Sequence, residues 1–383
     1  MPPMLPMRDD TAPTLADVLP SCVAALRSET NPLALPAAER VLVVLVDGLG
    51  IANLRARAGH ARHLTALATK RAVLTSGFPT TTAAALTTLM TGALPGEHGI
   101  VGYTALVPET DRVVNQLSGW SDDMSPDTWQ RRSTVFERVS TEGIRTTTIG
   151  PARYADSGLT RAILRGAEYR VGESIDDRFA AARRLFDEGG RQLAYLYIPE
   201  LDQAAHAKGW ESDRWTERLE AVDRAFATFT SSLKKGEGVL LTADHGILDV
   251  PADRHILFGQ TPSLVEGVRH VGGDPRCLHL YLDAGADASD DDAERLAGVW
   301  RESQGDNAWV VTRREAIASG WFGDVAPEVL PRLGHVIVAA RRLVAYYREA
   351  KSEGRSMVGQ HGSCTPEEQR VPLLRAGAFA QAS

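Results

Sequence analysis

Apolar runs of strand length alternate with segments of helical periodicity along most of this chain. The pattern predicts strands near 41–46, 146–149, 193–198 and 239–242, and helices over 14–26, 175–186 and 212–233. Parallel strands are commonly joined by such intervening helices. The alternation therefore predicts an α/β fold with a mostly parallel central sheet and helices on both faces.

The pattern changes between about residues 251 and 330. Leu278 to Leu282 and Trp309 to Thr312 indicate two strands, and the acidic stretch that follows the first of them leads into a helix. We expect residues 251–330 to form a small α+β inserted subdomain that covers or borders the site. Residues 1–250 and 331–383 would then form the catalytic core, which the chain re-enters through a strand at 334–340.

The composition fits an ordinary globular protein and argues against several classes. Of 383 residues, 43% are hydrophobic and 24% charged, and the net charge of −7 argues against a nucleic-acid polymer as partner. No signal peptide and no apolar run of membrane-span length is found. The three widely spaced cysteines indicate neither a disulfide framework nor a thiolate metal site. We expect a cytoplasmic protein with no membrane association; the sequence leaves its oligomeric state open.

Ionisable residues follow two of the predicted strands. The run at 41–46 ends on Asp47, and the run at 239–242 is followed by Asp244 and His245. Ligands of parallel sheets bind at the carboxyl ends of the strands. Adjacent residues of a regular strand point to opposite faces, so both Asp244 and His245 reach one ion only if the chain turns, which Gly246 permits.

A third predicted strand leads to Asp202 and His206. Four residues apart, they would share one face of a helical turn and could chelate one ion, although a solvent-facing pair has the same spacing. His361 lies in a Gly-rich segment and carries no signal alone. Together, three carboxylates and three imidazoles form a ligand set that suits two divalent ions, with zinc the best match and manganese or iron as alternatives.

Thr82 precedes a helix-forming run and has two interpretations. Its side-chain oxygen could cap the helix, which is the commoner use of threonine and the interpretation that this segment alone favours. Alternatively, its hydroxyl could lie beside free backbone N–H groups that attract a phosphate.

In order and in combination, these motifs resemble the alkaline phosphatase superfamily and, within it, the nucleotide pyrophosphatase/phosphodiesterase family. The resemblance covers most of the chain outside residues 251–330. It rests on Val46-Asp47-Gly48, Phe78 to Thr82, Thr91-Gly92, Pro95 to Ile100, Asp202 to His206, Asp244 to Gly246, and His361-Gly362. It implies an alkaline-phosphatase-like core.

The resemblance also implies roles for these residues. Thr82 would be the nucleophile, with Thr80 and Thr81 as close alternatives. One ion would be held by Asp202, His206 and His361. The second ion would be held by Asp47, Asp244 and His245, with the Thr82 oxygen completing its shell.

One position departs from the family pattern. Where the family usually has an asparagine that donates to the phosphate, this chain has Tyr103. A phenol can also donate a hydrogen bond, so Tyr103 is a candidate substrate-binding residue. Asn115 is the second candidate, although it could equally be a turn residue.

The implied activity is metal-dependent hydrolysis of phosphodiester or nucleotide pyrophosphate bonds through a phospho-threonine intermediate. The substrate would be a small phosphate ester, with a nucleotide as one candidate. Alternatives within the superfamily are a phosphomonoesterase and a phosphonoacetate-hydrolase-like enzyme that cleaves a C–P bond. The alternative outside enzymes is a catalytically inactive protein that binds metal or ligand.

Overall fold

A six-stranded sheet lies at the centre of the fold. The computed structural model describes residues 5–9, 11–283 and 288–380. Across the sheet the strands are Leu374–Gly377, Glu237–Thr242, Arg40–Val46, Gln192–Ile198, Arg145–Gly150 and Glu168–Val171. All neighbours pair in parallel except Leu374–Gly377, which is antiparallel to Glu237–Thr242. The predicted mostly parallel sheet is confirmed.

The register of three central strands places their carboxyl ends at one level. Val46 pairs with Ile198, and Leu45 pairs with Thr242. In Arg40–Val46 every residue after Arg40 is buried, as expected for a parallel strand that is covered on both faces. Residues that directly follow these three strands are therefore brought to one edge of the sheet.

Eight helices form two groups that pack among themselves and with the sheet. One group comprises Val18–Leu26, Thr82–Thr91, Val135–Val139 and Gly158–Ile163, and the other comprises Arg62–Leu67, Ile175–Asp187, Glu200–Lys208 and Asp213–Ser231. Ser174 and Ser212 begin two of these helices, since each side chain accepts from a backbone N–H of the first turn. Two such groups agree with helices on both faces of the sheet.

A second, antiparallel sheet lies in sequence between core strands Glu237–Thr242 and Leu374–Gly377. Its strands are, in order across the sheet, Val268–Asp274, Cys277–Leu282, Val336–Ala340 and Ala308–Thr312. Helix Asp290–Gln304 packs against it and buries Trp300 in a separate hydrophobic cluster. The expected α+β character of this region is therefore present.

The strand pairing bears on the domain boundary. Val336–Ala340, which the sequence assigned to the core, pairs on both sides within the second sheet. The division into core and insertion remains a prediction. This pairing favours an insertion that ends after Ala340 rather than near residue 330.

Short strand pairs and short helices lie around the two sheets. The pairs are Val73–Thr75 with Arg370–Pro372, Thr104–Val107 with Arg112–Asn115, Leu248–Asp249 with Gly359–Gln360, and His255–Leu257 with Ala345–Tyr347. The helices are Ile51–Ala56, Pro95–His98, Arg313–Ala318 and Pro366–Gln369. The pair formed by Leu248–Asp249 and Gly359–Gln360 brings His361 to the edge of the central sheet.

Helix length and hydropathy bear on membrane association. Within the ranges that the structure describes, every helix is too short or too polar to cross a bilayer. Cys22, Cys277 and Cys364 are buried free thiols.

We expect Trp300→Ala to destabilise the second sheet and its helix. The indole is fully buried, donates to the Leu264 carbonyl at 3.0 Å, and contacts Phe258 and Tyr346. Removing a buried tryptophan side chain costs about 3–5 kcal/mol. Urea unfolding measures this loss, and Leu343→Ala, which is 44% exposed, is the control and should change stability little. Equal stability of the two variants would contradict this packing.

Candidate metal centre and active site

The aligned strand ends bring two acidic loops into contact. Asp47 follows Arg40–Val46, and Asp244 follows Glu237–Thr242. The backbone N–H groups of Gly48 and His245 both donate to Asp244 Oδ1 at 3.1 Å. Gly48 has φ +75°, and a Cβ there would lie 3.1 Å from the Asp202 side chain. Glycine at this position lets the loops pack closely.

The first ligand group consists of Asp47, Asp244 and His245, all fully or almost fully buried. One ligand atom from each lies within 4.8 Å of the others. His245 Nε2 is 3.5 Å from Asp47 Oδ1 and 3.4 Å from Asp244 Oδ2. The chain bends at Asp244, just after strand Glu237–Thr242, so the adjacent side chains of Asp244 and His245 reach the same place.

The second ligand group lies beside the first. On helix Glu200–Lys208, His206 Nε2 is 3.2 Å from Asp202 Oδ2. His361 Nε2 is 3.3 Å from His206 Nε2, and its ring stacks on His245 with centroids 3.6 Å apart. Ligand atoms of Asp202, His245 and His361 also lie within 4.8 Å of one another. The structure thus brings all six predicted ligands together.

Backbone carbonyls orient two of the imidazoles. Nδ1 of His206 lies 2.8 Å from the Gly359 carbonyl, and Nδ1 of His361 lies 2.8 Å from the Thr80 carbonyl. A carbonyl accepts a hydrogen bond, so Nδ1 carries the proton in the neutral ring. The Nε2 lone pair of each histidine is then directed at the ligand group, as in histidine ligands of metals.

The carboxylates have unsatisfied oxygens that a divalent ion would complete. Asp47 Oδ1, Asp202 Oδ1 and Asp244 Oδ2 are buried and have no hydrogen-bond partner. Leaving a buried carboxylate oxygen unpaired is costly. Mixed carboxylate and imidazole donors suit zinc and related ions. The residues present therefore fit the divalent ions that the sequence predicts.

Charge crowding shifts the pKa values of these groups in opposite directions. Burial, together with the charges of Asp244 and Asp202, raises the pKa of Asp47 well above its usual range. Burial also opposes ionisation of Asp202, but the adjacent His206 keeps the pKa of that carboxyl low. Burial likewise opposes protonation of His206, yet Asp202 raises its pKa to about 9. One imidazolium thus partly offsets the negative charge of the group.

Thr82 is the first residue of helix Thr82–Thr91 and lies against the first ligand group. Its Oγ1 is 3.2 Å from His245 Nε2. The N-cap is Thr81, without a side-chain capping bond, so the interpretation of Thr82 as the cap is wrong. Thr80 Oγ1 is occupied structurally, donating to the Ser363 carbonyl at 2.6 Å. Of the three threonines, Thr82 is the one whose hydroxyl lies at hydrogen-bonding distance from a predicted ligand.

A cavity of about 500 Å³ opens beside Thr82 and Asp47. Its apolar wall includes Leu86, Leu159 and Ile163. Its polar lining includes Arg153, Gln203, Thr148, Tyr154, Tyr169, Tyr195 and Tyr197. The size is typical of a site for a small organic ligand.

Sequence reasoning missed the tyrosines of this cavity. Tyr195 and Tyr197 alternate along strand Gln192–Ile198, so they share one face of the sheet. Tyr197 donates a short hydrogen bond to Asp47, and the buried Tyr195 hydroxyl has no partner. The alternation at the end of a strand that leads to Asp202 was the available signal.

The two predicted substrate-binding residues lie elsewhere. Tyr103 is 39% exposed, and the lining of this cavity includes neither it nor Asn115. The Asn115 side-chain oxygen accepts from the N–H groups of Leu117 and Ser118, which is turn chemistry. Substrate contact by Tyr103 and Asn115 remains a prediction.

Sequence comparison identifies a family over most of the chain. The family model described as type I phosphodiesterase / nucleotide pyrophosphatase matches residues 41–364. A Schizosaccharomyces pombe protein described as an uncharacterized pyrophosphatase/phosphodiesterase is 25% identical over 328 residues. That alignment covers 77% of this chain and 65% of the relative, so the chain spans slightly less than two thirds of the relative's length.

Solved structures share the fold. Murine ectonucleotide pyrophosphatase/phosphodiesterase 5, in an inactive threonine-to-alanine form with AMP, matches with TM-score 0.67 and 18% identity, covering 89% of this chain and 88% of that one. Phosphonoacetate hydrolase from Sinorhizobium meliloti, in complex with phosphonoformate, matches with TM-score 0.68 and 19% identity, covering 89% and 91%. The chain belongs to the type I phosphodiesterase/nucleotide pyrophosphatase family of the alkaline phosphatase superfamily.

Proposed function

We propose that the protein is a metal-dependent hydrolase of phosphodiester or nucleotide pyrophosphate bonds that acts through a phospho-threonine intermediate. The position of Thr82 carries this proposal. Its hydroxyl lies at the first residue of a helix, 3.2 Å from His245 Nε2. The similar murine protein, inactive in a threonine-to-alanine form and bound to AMP, supports both the nucleophile and the substrate class.

Two divalent ions, most simply zinc, would be held by the six ligands. Asp202, His206 and His361 would hold one ion. Asp47, Asp244 and His245 would hold the other, with Thr82 beside it. Ions bound there would lower the pKa of the threonine hydroxyl and offset charge on the phosphoryl oxygens.

The chain's own groups then perform an in-line displacement. Thr82 Oγ1 loses its proton to solvent and attacks phosphorus, and the bond to the leaving oxygen breaks as the phospho-threonine forms; the leaving oxygen departs with the electron pair and takes a proton from solvent. The first N–H groups of helix Thr82–Thr91 lack intrahelical acceptors and can donate to the phosphoryl oxygens. Water then attacks the same phosphorus from the vacated side, and the bond between phosphorus and Thr82 Oγ1 breaks. This releases the phosphate monoester, a nucleotide when the substituent is a nucleoside, and a proton from the water restores the Thr82 hydroxyl.

The cavity beside Thr82 would bind the organic group of the substrate. Leu159 and Ile163 offer apolar contact, and the partner-free hydroxyls of Tyr195 and Thr148 offer hydrogen bonds. A nucleoside has both an apolar face and polar edges. We therefore propose a small nucleotide ester as substrate.

We also propose a cytoplasmic location for the protein. The three buried free thiols agree with it, because thiols stay reduced in the cytosol.

Phosphonoacetate hydrolysis is the second candidate. Arg153 lines the cavity and could pair with a substrate carboxylate. The similarity in fold to phosphonoacetate hydrolase adds support. Turnover of a chromogenic phosphodiester, the matching monoester and phosphonoacetate by one preparation separates the three activities, and absence of all three with metal bound would favour a binding protein.

Thr82→Ala should abolish turnover of a chromogenic phosphodiester. Loss of an attacking group typically lowers kcat by roughly 1,000-fold or more. Metal content, measured by elemental analysis, should stay near that of the unaltered protein because the six ligands remain. Thr82→Ser keeps a hydroxyl and should retain measurable activity. If Thr82→Ala hydrolyses the diester normally, the nucleophile is another threonine or water.

Divalent-ion affinity should rise with pH up to about 9, the raised pKa of His206. Below that pKa the ring is protonated, and the proton must leave before Nε2 can bind an ion. The apparent affinity for the ion should therefore fall about tenfold for each pH unit below the pKa. The raised pKa of Asp47 acts in the same direction. Zinc titration between about pH 6 and 8 measures the slope. His206→Asn should reduce it, and affinity independent of pH would contradict the assignment.

Leu159→Phe should reduce the preference for nucleotide esters by narrowing the cavity. Losing the contact between the cavity and one substituent of the substrate lowers kcat/KM about tenfold. The comparison uses p-nitrophenyl thymidine monophosphate and methyl p-nitrophenyl phosphate, which present a large and a small group. The KM should rise for the larger substrate only. Equal losses on both substrates would place the organic group elsewhere.

A further inference from the structure

A fully buried ion pair joins the second sheet to the segment that carries His361. Arg276 lies between strands Val268–Asp274 and Cys277–Leu282, and Glu368 lies in helix Pro366–Gln369. Nε and Nη2 of Arg276 each donate to one carboxylate oxygen of Glu368 at 2.8 Å. Both side chains are 0% exposed. The pair is therefore bidentate and excluded from solvent.

The remaining polar atoms of the pair are well matched. Arg276 Nη1 donates to the carbonyls of Arg342 and Val344 at 3.0 and 2.8 Å. Glu368 accepts from the Ser363 N–H at 3.0 Å and from the Thr365 hydroxyl at 2.6 Å. Apolar residues can replace a buried ion pair without loss of stability, so stability alone does not explain such a network. The network instead fixes the relative positions of the segments that it joins.

One of those positions is His361. The carbonyl of Ser363, a residue held by Glu368, accepts from the Thr80 hydroxyl at 2.6 Å, and the same hydroxyl accepts from the Gly362 N–H at 3.0 Å. The Thr80 carbonyl accepts from His361 Nδ1 at 2.8 Å. The hydrogen bonds thus run from Glu368 through the loop to the imidazole, next to the start of the helix that carries Thr82.

The second sheet also contacts this loop directly. A Cβ added to Gly362 would lie 1.9 Å from Asp274 Oδ1. Gly362 has φ +134°, so glycine is required there both for backbone conformation and for space. Asp274 belongs to the strand that ends two residues before Arg276. The loop therefore depends on the second sheet for both its shape and its anchoring.

We propose that Arg276 and Glu368 are positioning residues that hold His361 against Asp202 and His206. The second sheet thereby completes a metal site to which it contributes no ligand. This inference rests on the metal assignment in the proposed function. It predicts selective weakening of the ion that His361 would bind. The link from Glu368 to the other ligand group is a backbone hydrogen bond, from the Gly246 N–H to the Glu368 carbonyl at 2.8 Å, which replacement of side chains leaves in place.

The test is cobalt binding to ion-free protein carrying Arg276→Met and Glu368→Leu together. Removing both charges avoids an unpaired buried ion, so the protein should remain folded by circular dichroism. The visible spectrum of Co²⁺ reports each ion's ligands. One ion should bind with unchanged affinity and the other at least about tenfold more weakly, a cost of about 1.4 kcal/mol. His361→Ala should weaken the same ion and perturb the same band.

The matched control is Arg131→Met with Glu328→Leu. This pair has a 3.1 Å contact, and its side chains are 33% and 58% exposed. Its loss should leave both cobalt affinities unchanged. If the buried double variant does not fold, Arg276→Lys serves instead, because it keeps the charge but loses the bidentate geometry. It should weaken the same ion.

Two results would overturn the inference. One is unchanged binding of both ions by folded variants of the buried pair. The other is equal weakening of both ions, which would indicate a general loss of structure. This experiment measures ion binding and not turnover. A failure of the inference can therefore be distinguished from a failure of the proposed function. The latter would show in the unaltered protein as absent hydrolysis or absent binding of two ions.

Discussion

Mutual repulsion of buried carboxylates is the constraint on which this site depends. Asp47, Asp202 and Asp244 meet at one edge of the sheet with little solvent to screen them, and each retains an oxygen without a hydrogen-bond partner. Such a cluster is stable only when protons or cations balance it. The imidazolium of His206 supplies part of that balance. Divalent ions would supply the rest, so affinity for cations and the chemistry proposed at Thr82 would have the same electrostatic origin.

The parallel sheet allows this repulsion because its backbone is fixed independently of the site. Three strands in register end at the same level, so the positions of the strand ends fix where the following residues begin. The hydrophobic burial of Arg40–Val46 and its neighbours favours folding strongly enough to offset the crowding of charge at their ends. Stability thus comes from the body of the sheet, and the reactive groups are placed at its edge.

Sequence patterns predicted the central strands, and the rule about strand ends brought together Asp47, Asp202, His206, Asp244 and His245, because both depend on local periodicity. The place of His361 followed only from the family resemblance. They did not predict the neighbours of Val336–Ala340, since an apolar run shows that a strand is buried but not where it pairs. The contact between Arg276 and Glu368 spans 92 positions and leaves no local signal. The start of the helix was predicted one residue late, with Thr82 instead of Thr81 as the N-cap, because helix ends are set by backbone geometry that composition does not specify.

The order of the ligands along the chain has a consequence for biosynthesis. Asp47 is among the first core residues to leave the ribosome, whereas His361 follows only after the whole second sheet has been made. Contacts between such distant positions form slowly because a long loop must close first. A nascent chain therefore carries its acidic loops without their full complement of imidazoles. A chain that ends before His361 would carry five strands of the central sheet and five of the six predicted ligands, and would lack strand Leu374–Gly377.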